Sequence, residues 1–286
     1  MPVLPQLIQQ PSSPNPSILP IRQHKFKTPT LRLQLNDLSH DGSAIFLSNV
    51  KASEDFETQV QNVLNLLYTP SCHRPGTRSV TLILRCMDGV AYTTGTELDS
   101  DHKEIHFNLN YINRSRADQR YELLGVLCHE LVHCFQWDAG GSCSGGLIEG
   151  IADWVRLRAG LAAKHWKQEA EGEWDGGYQH TGYFLEYLEQ RFGPGTVRAI
   201  NGCLREEKYD EKKLFEKCCD GQKVGNLWKE YRKSLKKKNG SDDDCEQEKE
   251  SADDYEVKEE SADDCEEKKD DGWESAGTGS SDRDQK

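Results

Sequence analysis

Between Leu123 and His133 the only strongly polar side chains are those of His129, Glu130 and His133. No other stretch of the chain restricts the fold as much. The run Leu123-Leu124-Gly125-Val126-Leu127 reads as a central buried helix, and on a helix positions i and i+4 share one face. His129 and His133 then point at the same place, with Glu130 next to the first of them. The bland alternative is a core helix whose two imidazoles hydrogen-bond to backbone. Two buried histidines and a glutamate within about one turn are costly without a metal or a charge partner, so His129-Glu130-Leu131-Val132-His133 is expected to be a metal site. Zinc (Zn2+) suits it, because zinc accepts nitrogen ligands and keeps a fourth position open for catalysis. Glu130 is placed to reach a water on that ion.

Two histidines leave a third ligand to find. Glu149 lies 16 residues beyond His133, inside Gly145-Gly146-Leu147-Ile148-Glu149-Gly150-Ile151-Ala152-Asp153-Trp154. The glycine pair reads as a turn and Leu147 to Ala159 as a helix. Glu149 and Asp153 are again i and i+4. The expected division is Glu149 as the third metal ligand and Asp153 as the carboxylate that holds the outer ring nitrogen of a ligand histidine. The competing reading pairs Asp153 with Arg156 or Arg158 on the helix surface.

Leu31, Leu33 and Leu35 alternate with polar residues, as in a half-buried strand. Asp55 to Tyr68 has helical apolar spacing, Ser79 to Cys86 reads as a buried strand, and Glu104 to Ile112 alternates like a strand with one covered face. From Asp118 to about Lys238 the pattern is helical. The expected fold class is α+β: a small N-terminal mixed sheet with helices, then a mainly helical half that carries the metal-site helix. His102 and His106 read as surface histidines on a strand, and Cys218-Cys219 as a pair at a helix end rather than a redox centre.

Seven of the ten prolines fall in residues 1–29 and interrupt every apolar stretch there, so 1–28 is expected to be an extended, disordered leader and no secretory signal is read in it. Residues 241–286 hold 20 acidic and 6 basic side chains and one aliphatic residue among Val, Ile and Leu, Val257. Their net charge of −14 stands against −13 for the whole chain, so the acidity belongs to a tail that lacks the apolar surface to fold. Residues 1–240, which include the domain expected at 29–240, carry a net charge of +1 (−13 less −14), which argues against a nucleic-acid grip. No apolar run approaches the roughly 18 residues needed to span a bilayer. The cysteines read as mostly free thiols, the compartment as cytoplasmic, and the chain as a monomer.

HELVHCFQW, GGLIEGIADWVRLRAG and the following His165-Trp166 resemble the plant basic secretory protein family, peptidases of plants and bacteria. The resemblance extends over roughly residues 29–235. It implies a zincin-like, gluzincin-like layout, a zinc-dependent peptidase acting on peptides or proteins, His129, His133 and Glu149 as ligands, and Glu130 as general base. A further donor to the oxyanion is sought in Trp174-Asp175-Gly176-Gly177-Tyr178-Gln179-His180. Tyr178 and His180 both qualify, the resemblance favours Tyr178, and the plain alternative packs Tyr178 under the next helix. The strand at Glu104–Ile112 is a candidate edge for an extended substrate. The rival function is a catalytically inactive zincin-fold binding protein with a structural zinc and an acidic interaction tail.

Overall fold

The computed structural model describes residues 24–239, apart from 97–98, 115–117 and 206–207. The leader up to residue 23 and the acidic tail at 241–286 lie outside the described residues. Four strands form one sheet in the order β1 (Thr30–Leu35), β2 (Ser79–Arg85), β4 (Asp99–Asn108), β3 (Ala91–Thr96). The first three are parallel, and β3 returns antiparallel along β4. Alternation along the strands sends Leu31, Leu33, Leu35, Val80, Leu82, Leu84, Ile105 and Phe107 to one face, where they join the hydrophobic core. Helices cover that face: α2 (Ala52–Leu67) packs on β1, and α4 (Gln119–His133) packs between α2 and α5 (Gly145–Arg158) and against β3.

This sheet-then-helices arrangement is the α+β class expected, but three details differ. Residues 24–28, assigned to the leader on composition, run along α2. The His24 N–H donates to Asn65 Oδ1 at 2.6 Å, the Phe26 N–H donates to Gln61 Oε1 at 2.9 Å, and the Phe26 ring is buried. One aromatic ring anchors a segment whose average composition is polar, so the folded part begins before residue 29. The strand expected over Glu104–Ile112 is β4, which stops at Asn108; the Asn108 Oδ1 accepts from the Asn110 N–H at 2.9 Å and starts the short helix α3 (Leu109–Ile112). β4 also lies inside the sheet, between β2 and β3. The edges are β1 and β3, and the one that packs against α4 is β3, whose sequence Ala-Tyr-Thr-Thr-Gly-Thr carries no apolar alternation to announce it.

Past α5 the chain is helical through α6 (Tyr178–Phe192), α7 (Thr196–Cys203), α8 (Glu211–Cys218) and α9 (Val224–Asn239). The most extensive helix pairing is α5 on α6, where Trp154, Phe184, Leu185 and Leu188 are buried. Gly150 permits it: a Cβ there would run into the Thr181 side chain. No helix among the described residues is long and apolar enough to cross a membrane.

Arg120 on α4 is clamped to Asp55 on α2 by two hydrogen bonds, at 2.8 and 2.7 Å, and Asp55 also accepts from the Lys51 N–H at the start of α2. The Arg120 hydrogen bond is the largest influence on the Asp55 carboxyl and, against some desolvation, holds it below its ordinary value of 3.8. A folded-state pKa below the unfolded one means stability that is present above 3.8 and lost as pH falls through the folded value. Asp55→Asn should therefore lower stability by about 2 kcal/mol at neutral pH. Chemical denaturation of the two proteins across acidic pH should show their stabilities converging; a constant gap down to the acid limit would contradict the assignment.

Candidate metal centre

α4 supplies two imidazoles from one face. The Nε2 atoms of His129 and His133 are 3.2 Å apart, and Glu149 on α5 brings Oε2 to 3.0 Å from His129 Nε2 and Oε1 to 3.7 Å from His133 Nε2. Zinc–ligand bonds of about 2.0–2.1 Å at tetrahedral angles put neighbouring ligand atoms about 3.4 Å apart, so these separations fit one small ion. Among the described residues this trio is the one group of three or more His, Cys, Asp or Glu side chains whose donor atoms converge in this way.

Both outer ring nitrogens are held. His129 Nδ1 lies 2.6 Å from Asp153 Oδ1, and Asp153 is buried. The competing surface pairing of Asp153 is not found: Arg156 bonds Glu122 at 3.0 Å and the Leu161 carbonyl, while Arg158 bonds Glu186. His133 Nδ1 lies 2.7 Å from the amide nitrogen of Gln136, and the amide oxygen of Gln136 is buried with no partner among the described residues. A histidine that binds metal through Nε2 carries its proton on Nδ1 and needs an acceptor there. The Gln136 oxygen is that acceptor once the amide is turned over, which exchanges its oxygen and nitrogen within the same space. The donor set and its surroundings therefore fit a bound cation.

Without a metal, the charge pattern is built around His129. Burial opposes its charge, but its hydrogen bonds to Asp153 and Glu149 outweigh that and push its pKa up to about 10. Burial and the charge on His129 push His133 down to about 4. Burial raises the Glu130 carboxyl, with His129 and a hydrogen bond from Thr93 acting the other way. For Glu149, the hydrogen bond to His129 and the two nearby imidazoles overcome desolvation and lower its pKa.

Glu130 is buried next to the trio, and among the described residues the side chain that hydrogen-bonds its carboxylate is that of Thr93, whose hydroxyl lies 2.7 Å from Glu130 Oε2 and 3.0 Å from the Glu130 carbonyl. Tyr178 begins α6 at a backbone φ of 46°, directly after Gly177 at 84°. The turn is pinned by Thr181, whose Oγ1 accepts from the Gly177 N–H and donates to the Trp174 carbonyl, both at 2.9 Å. A left-handed tyrosine costs on the order of 1–3 kcal/mol, and here it leaves a ring 54% exposed, parallel to that of His129 at 6.1 Å between centroids. Tyr178 is thus beside the trio rather than under α6. His180 is engaged elsewhere, with Nε2 2.8 Å from the Glu173 carbonyl and its ring against Trp228.

The remaining sequence candidates stand apart from the trio. His102 pairs with Ser79 at 2.6 Å, and His106 stacks on Tyr92 and bonds Glu104. Cys218 ends α8 with its sulfur 3.6 Å from that of Cys203. Sequence reasoning missed Gln136 and Thr93. An amide three residues past His133 is a local signal; Thr93, 37 residues before Glu130 on an unpatterned strand, gives none.

The model of the family described as peptidase of plants and bacteria matches residues 28–231 of this chain, a span that contains every residue of the trio and its surroundings. No curated protein and no solved structure matches it.

Proposed function

The chain belongs to the family of peptidases of plants and bacteria, and we propose that it hydrolyses peptide bonds with a zinc ion held by His129, His133 and Glu149. The observation that carries this reading is the convergence of the three donor atoms while Asp153 and Gln136 occupy both outer ring nitrogens. When bound, zinc supplies a Lewis acid that makes water nucleophilic near neutral pH and polarises a carbonyl.

The chain's own residues supply the rest. Glu130, buried beside the ligands, takes the proton of the attacking water and returns it to the leaving amine. Tyr178 donates to the oxygen on which negative charge develops, and its exposed ring leaves the hydroxyl accessible to substrate. The outer edge of β3 offers main-chain groups to an extended substrate. That role passes to β3 from β4, which the sheet encloses on both sides. The rival reading, a structural zinc in an inactive binding protein, calls for four protein ligands, and among the described residues three converge.

The positioning of the ligands gives the test. Asp153→Asn and Gln136→Leu should each weaken zinc binding about 10- to 100-fold, the usual cost of losing a partner behind a ligand histidine. Competitive titration against a chromophoric chelator measures this. Wild-type affinity in both variants would remove the reason for placing zinc between these histidines.

A further inference from the structure

We infer that Thr93 is a positioning residue for Glu130, and that it links substrate docking on β3 to the orientation of the catalytic carboxylate. The inference rests on the peptidase reading above. Its starting point is the strand register. The Asn108 N–H donates to the Val90 carbonyl at 3.0 Å, and the following pairs are Ala91 with Phe107, Tyr92 with His106 and Thr93 with Ile105. In an antiparallel ladder hydrogen-bonded and non-hydrogen-bonded pairs alternate. Counting on from Val90 and Asn108, Thr93 falls in a non-hydrogen-bonded pair. Its N–H and C=O therefore turn away from β4, towards the free edge of the sheet.

The side chain of Thr93 points the other way from those of Tyr92 and Thr94, onto the helix-covered face, and there it meets Glu130. The two oxygens of that carboxylate are not equivalent. Oε2 accepts from the Thr93 hydroxyl at 2.7 Å, the nearer of the two acceptors that hydroxyl faces (the Glu130 carbonyl lies at 3.0 Å), and among the described residues no other side chain hydrogen-bonds the carboxylate. A buried carboxylate with one donor takes its orientation from that donor. With Oε2 occupied, Oε1 is left to handle the proton. Threonine suits the task because its branched Cβ restricts the hydroxyl to few rotamers. One residue thus offers its main chain to the substrate and its side chain to the base, so an extended peptide adding to β3 settles the strand that aims Glu130.

The test compares Thr93→Val, which keeps the shape and removes the hydroxyl, with Thr93→Ser, which restores it. Thr93→Val should lower kcat about 10- to 100-fold, a share of what general acid–base catalysis contributes, with KM and zinc content unchanged and a modest fall in Tm from leaving the buried carboxylate without its donor. Thr93→Ser should recover most of the loss. Crystal structures of zinc-loaded wild type and Thr93→Val add a readout independent of turnover: the Glu130 carboxylate should hold one orientation in the first and spread or swing in the second. Wild-type kcat in Thr93→Val, or an unmoved carboxylate, would overturn the inference. So would parallel losses of Tm and zinc, which would make Thr93 a strap between β3 and α4. A wild type as inactive as Glu130→Gln would sink the peptidase reading instead, and the crystallographic comparison would still decide the role of Thr93.

Discussion

Glu130→Gln should lower peptide-bond hydrolysis by about 10²- to 10⁴-fold, the range that general acid–base catalysis supplies, while zinc content stays at the wild-type level. The substitution is nearly isosteric, and the amide oxygen still accepts from Thr93 in place of Oε2. What disappears is the capacity to take a proton. Glu130 is not among the three converging donors, so its loss gives a metal held by them no reason to leave. Steady-state kinetics on a peptide library, with elemental analysis of the same preparations, measures both halves. A variant that retains activity would mean another group is the base; one that loses zinc would mean Glu130 is a ligand.

Glu149→Ala should weaken zinc binding by more than about 100-fold, beyond the loss expected for a partner behind a ligand. It is the cleanest of the three ligand substitutions. His129→Ala would strand the buried Asp153 carboxylate, at a cost on the order of 3–5 kcal/mol, and the fold itself would then be in question. His133→Ala similarly leaves the Gln136 amide facing a void. Glu149 is half-buried, and truncating it takes one partner from the buried His129, whose Nδ1 stays held by Asp153. Calorimetric zinc titration together with a thermal melt separates the two effects: affinity lost while the zinc-free protein still unfolds cooperatively supports the assignment, and unchanged affinity would send the third ligand elsewhere.

The parts of the site that were legible in the sequence are those fixed by helical spacing. His129 and His133, then Glu149 and Asp153, are i and i+4 pairs on α4 and α5, and a helix needs no tertiary knowledge to bring such pairs to one face. The pairing of Asp153 with His129 rather than with an arginine was one of two readings, and burial of Arg156 and Arg158 against Glu122 and Glu186 decides between them. Sheet order was not legible. β4 reads as an edge because it precedes the metal-site helix in the chain, yet the hairpin that forms β3 folds back outside it. Because β3 has no alternation, both the edge and the Thr93 contact depend on pairing that local pattern does not encode. Residues 24–28 show the same limit on a smaller scale, where one buried phenylalanine outweighs a polar, proline-rich context.

The most direct measurement sets zinc per chain against the peptide-cleavage rate in one sample of the full chain, as a chelator strips the metal and added zinc restores it. Three ligands around one open position predict that the two fall and recover together, saturating at about one zinc per chain. Cleavage undiminished in fully stripped protein would contradict the account.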